Sequence, residues 1–126
     1  MKKEEFLRKL DELNLDKNKY CIISGGVMLL YDLKDTTNDI DLRMSLDYFE
    51  ELKKRFRFKK SSKYPYLFEL GEDIEVAVKD FDKSVIRMVN GYPVESLEQQ
   101  LDWMIKNKRE KDKEKIIIIQ NYLKNK

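Results

Sequence analysis

The sequence contains no histidine and only one cysteine, Cys21. Without histidine, the chain has no Ser-His-Asp or Cys-His nucleophile and no histidine that acts as a general base. A single cysteine excludes an internal disulfide and a zinc–thiolate cluster. A metal ion would therefore be held by oxygen ligands, which favours magnesium, manganese or calcium. Any catalysis must rely on carboxylates, lysines and backbone amides.

Long apolar segments are also lacking. No apolar run approaches the roughly 20 residues of a membrane span, so we expect no membrane association. The charged N-terminus, MKKEEF, is not followed by an apolar stretch of the signal-peptide type. Together with the free cysteine, this predicts a cytoplasmic protein.

The residues that are present suit one ordinary domain over 1–126. Hydrophobic residues make up 41% of the 126, enough to form a core. The 26 basic and 24 acidic residues nearly balance, with a net charge of +2, which gives no general reason for nucleic-acid binding. Only four glycines and two prolines interrupt the chain, so we expect much regular structure.

Hydrophobic spacing predicts alternating helices and strands in the first half of the chain. The elements are a helix with Phe6, Leu7, Leu10 and Leu13 on one face, strand Tyr20–Ile23, helix Val27–Leu33, strand Asp39–Met44, and a helix capped by Ser45 with the apolar stripe Leu46, Phe49, Leu52 and Phe56.

In the second half, three strand-like stretches at 56–60, 66–70 and 73–78 predict an antiparallel meander. The stretch from Val85 to Val94 is ambiguous, with a small strand before Pro93 as one interpretation. A capping-box pattern begins a helix at Ser96. We expect a last helix over Lys111–Leu123, buried on several sides along Ile116–Ile119. The order predicts an α+β fold: a small mixed sheet backed by helices, with a C-terminal helical pair.

One stretch combines features that suit chemistry on phosphates. A predicted strand ends at Ser24-Gly25-Gly26, where glycines let backbone N–H groups approach a ligand and a helix N-terminus favours an anion. Twelve residues later come Asp39 and Asp41, two apart on a strand, so their carboxylates point to one face with Cα atoms about 6.5–7 Å apart. Two carboxylates at that spacing can converge on one or two metal ions.

A later strand carries Asp73-Ile74-Glu75, again with two acids on one face. Clustered like charges repel one another and are costly unless a cation neutralises them. Each feature also has a plainer interpretation, because Gly-Gly often marks only a turn and Asp-x-Asp often lies on a solvated edge strand. On the residues alone, both interpretations stay open.

The same residues carry a family resemblance. Gly25-Gly26 followed by Thr37-Asn38-Asp39-Ile40-Asp41-Leu42 resembles the signature of the nucleotidyltransferase (polymerase β-like) superfamily. The run GGVMLLYDLKDTTNDIDL is most similar to small bacterial abortive-infection nucleotidyltransferase toxins. Tyr92-x-Val94-x-Ser96-Leu97 and Arg109-Glu110-Lys111-Asp112 resemble that family's C-terminal segments, so the resemblance spans about 20–123.

The resemblance implies a nucleotidyltransferase fold with a core over about 19–80 and C-terminal helices over about 96–124. It also implies roles for individual residues. Asp39 and Asp41 would bind two Mg²⁺ ions, with Mn²⁺ as an alternative. A third carboxylate would complete the site and could act as base, with Glu75 as first choice and Asp73 as second. Nucleotide binding would involve Ser24, Gly25, Gly26, Lys111 and Asp112.

The implied activity is magnesium-dependent transfer of a nucleoside monophosphate from an NTP to an acceptor, which could be RNA, a protein or a small molecule. A toxin–antitoxin or phage-defence setting would add an antitoxin-type partner, and a homodimer is also open. The alternative is a catalytically inert nucleotide- or protein-binding module of the same fold. The sequence departs from the family pattern at Asp35, where many relatives have a basic residue, and at Lys115, where many have an aspartate.

Aromatic residues give a weaker indication. Tyr64 and Tyr66 lie near Lys59, Lys60 and Lys63 and could form a basic–aromatic surface for RNA, although a solvated hairpin explains them as well. Trp103 is expected in packing, with stacking on a nucleobase as the alternative.

Overall fold

The computed structural model describes all residues, 1–126. Its five helices are α1 (Lys3–Glu12), α2 (Gly25–Leu30), α3 (Leu46–Leu52), α4 (Leu97–Asn107) and α5 (Lys113–Lys124). Its seven strands are β1 (Tyr20–Ile23), β2 (Ile40–Met44), β3 (Lys59–Lys60), β4 (Leu67–Leu70), β5 (Ile74–Val78), β6 (Ile86–Val89) and β7 (Tyr92–Glu95). No helix has the length and apolar character needed to cross a membrane.

All seven strands join one mixed sheet in the order β3-β4-β5-β2-β1-β7-β6. The central pairs are β1 with β2, antiparallel, and β2 with β5, parallel. The predicted meander of β3, β4 and β5 is antiparallel throughout. On the other side, β7 runs parallel to β1. The mixed sheet with helices packed on it confirms the predicted α+β class.

The two faces of the sheet differ in polarity, as the alternation along β2 shows. Ile40, Leu42 and Met44 are buried in the core, whereas Asp41 and Arg43 point to the opposite face. The core cluster takes side chains from all five helices, including Phe6, Val27, Phe49, Leu97 and Ile119. The helices therefore cover the apolar face, and the opposite face carries the polar side chains of β2.

Two predicted helix caps are present. The hydroxyl of Ser45 accepts a hydrogen bond from the backbone N–H of Tyr48, at 3.4 Å, at the start of α3. The hydroxyl of Ser96 accepts one from the N–H of Gln99, at 3.1 Å, at the start of α4. Each cap satisfies a backbone donor that the helix leaves without a partner, which stabilises the helix by about 1 kcal/mol.

Some local predictions were incomplete or wrong. The ambiguous stretch forms a hairpin of β6 and β7, joined at Asn90-Gly91 with positive φ at both residues. The last helix is correct, but only Ile119 of its isoleucine run is buried; Ile117 is 58% exposed. Leu46 was placed on the buried stripe of α3, yet it is 59% exposed.

Candidate active site

The turn after β1 has an unusual backbone. Ser24 has φ 60° and ψ −140°, a region that glycine adopts readily and other residues rarely. An added Cβ at Gly26 would lie 2.7 Å from atoms of both Ile22 and Phe6, so only glycine lets α2 pack this closely. At Gly25 the nearest atoms would be the Thr37 hydroxyl at 2.7 Å and the Lys34 Nζ at 3.1 Å. The ammonium group of Lys34 therefore lies beside Gly25. Because α2 has only six residues, its dipole contributes little to anion binding.

Acidic residues form a row across the polar face of the sheet. In the parallel register of β2 and β5, Asp41 lies opposite Glu75. On its other side, Glu75 lies opposite Glu69 of β4. Paired residues on neighbouring strands are about 5 Å apart, so three carboxylates follow one another across three strands.

The charges in this row act on one another. Burial, followed by the negative charges of Glu75 and Asp39, raises the pKa of Asp41 from its usual 3.8 to about 7. The positive charges of Lys63 and Lys34 oppose this effect. The negative charges of Asp39 and Glu75 thus both act on Asp41.

The two acids of the Asp73-Ile74-Glu75 segment have different partners. The Glu75 carboxylate accepts a hydrogen bond from Lys63 at 3.1 Å. The Asp73 carboxylate instead accepts one from Lys9 of α1. The structure therefore brings Glu75, and not Asp73, to Asp41.

The fit to a divalent cation depends on these carboxylates. No three acidic side chains are arranged closely enough to enclose a metal ion. Asp39 and Asp41 nevertheless offer the oxygen ligands that Mg²⁺ prefers, and their repulsion with Glu75 favours a bound cation. Mg²⁺ in nucleotide sites is usually held by one or two carboxylates together with substrate phosphates. The chemistry of the donor set thus fits a magnesium ion whose coordination the substrate completes.

A pocket of about 210 Å³ adjoins the glycine turn on the same face. It contains Ser24 and Gly25 from the turn, Arg43 and Ala77 from the sheet, and residues of the C-terminal segment. Its other lining residues are Ile23, Met28, Tyr66, Lys79, Glu95, Gln99, Gln100, Trp103, Met104, Arg109 and Lys115. A wider groove of about 480 Å³ lies beyond the far end of β2, and none of the predicted site residues lines it.

Glu95, which the sequence did not single out, is a buried acid in this pocket. It is 8% exposed, and burial raises its pKa. One carboxylate oxygen accepts a 2.6 Å hydrogen bond from the Gln100 amide, and the other lies 3.8 Å from Arg43. The pairing of Ile22 with Val94 puts Glu95 beside Ile23, which itself lies opposite Asp41. The alternation of side chains between the two faces of β7 could have indicated Glu95, if that strand had been recognised in the sequence.

The predicted nucleotide-binding residues Lys111 and Asp112 have different surroundings. Asp112 is fully buried; one of its oxygens accepts a 2.6 Å hydrogen bond from Arg109 Nε, and Oδ1 has no hydrogen-bond donor. The Nζ of Lys115 lies 3.6 Å from that oxygen. Lys111 is exposed and does not line the pocket, whereas Arg109 and Lys115 do.

Aromatic rings border the pocket. The Trp103 ring, 47% exposed, lies 4.6 Å from the Arg109 guanidinium. Tyr66 stacks on Tyr64 with 5.5 Å between ring centroids, and Lys79 Nζ lies 3.8 Å from the centre of the Tyr66 ring. Trp103 is therefore a surface residue of the pocket and not part of the core.

No family model matches the chain, and no curated protein matches it. Among solved structures, a Thermotoga maritima protein provisionally described as a nucleotidyltransferase aligns with 100% of this chain and 97% of its own, at 19% identity and a TM-score of 0.63. ANT(2")-Ia in complex with adenylyl-2"-tobramycin aligns with 95% of this chain and 86% of its own, at 16% identity and a TM-score of 0.49, too low to support an argument. The chain is therefore similar over its whole length to a protein of the nucleotidyltransferase fold, which confirms the predicted fold.

Proposed function

We propose that the chain is a magnesium-dependent nucleotidyltransferase that transfers a nucleoside monophosphate from an NTP to an acceptor hydroxyl. The observation that carries the proposal is the row of Asp41 and Glu75, with Asp39 close by, next to the turn at Ser24-Gly25. Carboxylates that repel one another beside a lysine-flanked turn suit a substrate that combines a divalent cation with phosphates.

In this mechanism Asp39 and Asp41 would hold Mg²⁺. When bound, the metal supplies Lewis-acid stabilisation of charge on the phosphates. The turn orients the phosphate chain, and Glu75 accepts the proton of the acceptor hydroxyl. The hydroxyl oxygen bonds to the α-phosphorus as the bond from the α-phosphorus to the bridging oxygen breaks, and pyrophosphate leaves. Lys63 is exposed, so it can withdraw from Glu75 before this step.

The acceptor is proposed only as a class. The pocket beside the turn combines the buried carboxylate of Glu95 with the rings of Trp103 and Tyr66, a mixture of polar and aromatic surface. Such a surface suits an RNA end, a protein side chain or a small molecule. The similarity to abortive-infection toxins, the antitoxin-type partner or homodimer, and the cytoplasmic location stay predictions from the sequence.

Nucleotide titrations test the proposal. ATP, GTP, CTP and UTP are titrated with and without Mg²⁺ against the protein and against the double variant Asp39→Asn, Asp41→Asn. Asp47→Asn, on the exposed side of α3, serves as control. Pyrophosphate release is then measured with cellular RNA, cellular protein or aminoglycosides as acceptor. We expect Mg²⁺-dependent NTP binding that the double variant loses and the control variant retains. A wild-type protein that binds no NTP at millimolar Mg²⁺ would refute the proposal.

Two observations favour the inert binding module as a second candidate. No three acids enclose a metal site, and Lys63 already neutralises Glu75. This alternative predicts NTP binding that needs Asp39 and Asp41 but no pyrophosphate release with any acceptor class. A plain RNA-binding domain would instead bind RNA in a salt-sensitive way, and that binding would be the same in the aspartate variants.

A further inference from the structure

We propose that Lys34 and Lys115, here called the lysine pair, bind the polyphosphate of the substrate, and that Lys111 does not. The inference rests on the proposed function, because it names the residues that hold the phosphates at the same site. It also assigns a role to Lys115, which departs from the family pattern.

The lysine pair converges on the turn from two distant segments. The Nζ of Lys34 would lie 3.1 Å from a Cβ placed on Gly25, so the ammonium group occupies the space beside this glycine where a larger residue would have its side chain. Lys115 lines the same pocket as Ser24 and Gly25. The charge of Lys115 also lowers the pKa of Lys34, so the two ammonium groups lie within electrostatic range of each other.

This arrangement leaves Lys34 without a counter-ion. Lys34 is half-buried, and no carboxylate lies within 4.0 Å of its Nζ; the charge of Asp41 acts on it only at longer range. Burial and the neighbouring lysine both disfavour its charged form. Two half-buried like charges are unfavourable together unless an anion binds between them. A chain of two or three phosphates carries the negative charge that the lysine pair lacks.

Asp112 lies within ion-pair distance of Lys115 but accepts no hydrogen bond from it. The 3.6 Å between Lys115 Nζ and Asp112 Oδ1 is too long for a hydrogen bond, and that fully buried oxygen has no other donor. The other carboxylate oxygen of Asp112 accepts a hydrogen bond from Arg109, which holds the side chain in place. The ammonium group of Lys115 donates no hydrogen bond to another side chain, so its three donors are available to a ligand.

Calorimetric titration of sodium tripolyphosphate, pyrophosphate and ATP, all without Mg²⁺, tests the lysine pair. The variants are Lys34→Met and Lys115→Met, with Lys111→Met as a matched control four residues before Lys115. Loss of one charge-assisted contact should weaken binding about tenfold or more. We expect that loss for tripolyphosphate and ATP in both test variants, and less than a twofold change in the control.

Because Lys115→Met also removes a positive charge near buried Asp112, Lys115→Arg provides a second test and should retain most of the affinity. Lys34→Met does not disturb Asp112 and tests the pair independently. The inference is overturned if the wild type binds no tripolyphosphate, if Lys111→Met weakens binding as much as Lys115→Met, or if only free pyrophosphate and not ATP depends on the pair. These titrations measure binding and need no turnover. An absence of pyrophosphate release would therefore contradict the proposed function but not the binding of polyphosphate by the lysine pair.

Discussion

Replacing Asp41 by asparagine should stabilise the protein at neutral and alkaline pH. The folded structure raises the pKa of this carboxyl from 3.8 to about 7, through burial and the charges of Glu75 and Asp39. Between these two pH values, the folded state binds a proton that the unfolded chain releases. The free energy of unfolding of the wild type therefore falls as the pH rises from about 4 to about 7.

The size of the effect follows from the two pKa values. One pKa unit corresponds to about 1.4 kcal/mol, so a rise from 3.8 to about 7 corresponds to about 4 kcal/mol above pH 7. The asparagine side chain of the variant carries no charge at any pH. The difference in stability between Asp41→Asn and the wild type should therefore be small near pH 4, increase through pH 5 and 6, and level off above pH 7 at up to about 4 kcal/mol.

Urea unfolding of both proteins between pH 4 and pH 8, in buffer without divalent cations, measures this difference. Glu51→Gln removes a solvent-exposed carboxylate of α3 and serves as control, with no difference of that size at any pH. A gain in Asp41→Asn that does not change with pH would refute the reasoning, because it would arise from packing and not from charge. Lower stability of the variant at pH 8 would refute it as well.

Three further changes have defined outcomes. Lys63→Gln removes the cation that pairs with Glu75, so Mg²⁺ should bind about threefold more tightly in calorimetry; weaker binding would contradict the competition between lysine and metal. Gly26→Ala should lower the free energy of unfolding by about 1–3 kcal/mol, since the new methyl group would overlap Phe6, and an unchanged urea midpoint would show that the core has room. Ser24→Gly should raise the free energy of unfolding, measured by thermal denaturation, by about 1 kcal/mol because it relieves backbone strain. A decrease of that size would contradict the positive φ of Ser24.

Most of the fold could be predicted because local patterns agree with the final packing. The alternation of Asp41 and Arg43 with apolar neighbours assigned β2 and both of its faces, and Ser45 and Ser96 marked helix starts through their caps. The β6–β7 hairpin was harder to predict because Pro93 and polar residues obscure its alternation. Such a short hairpin is stabilised mainly by its pairing with β1, which lies far away in the sequence.

The site could be predicted only where its residues are close in the sequence. Asp39 was expected on the strand with Asp41 but directly precedes β2, and its charge acts on Asp41 from there. Glu95 and Lys115 reach the pocket through sheet order and helix packing, which one sequence does not reveal. Asp73 fits the alternation of β5, but Lys9 of a different element binds its carboxylate.

The parallel pairing of β1 with β7 has a consequence for how the protein acquires its site during synthesis. Ile22 and Val94 are neighbours in the sheet but far apart in the chain, and such non-local pairs form late in folding. On the ribosome, the segments that carry Asp41 and Glu75 emerge well before β7 and α5. The acidic row can thus assemble first, while the pocket wall and Lys115 join it only after the C-terminal segment has emerged. A nascent chain would hold Lys34 and the repelling carboxylates before it holds Lys115, the second lysine that we assign to the phosphates.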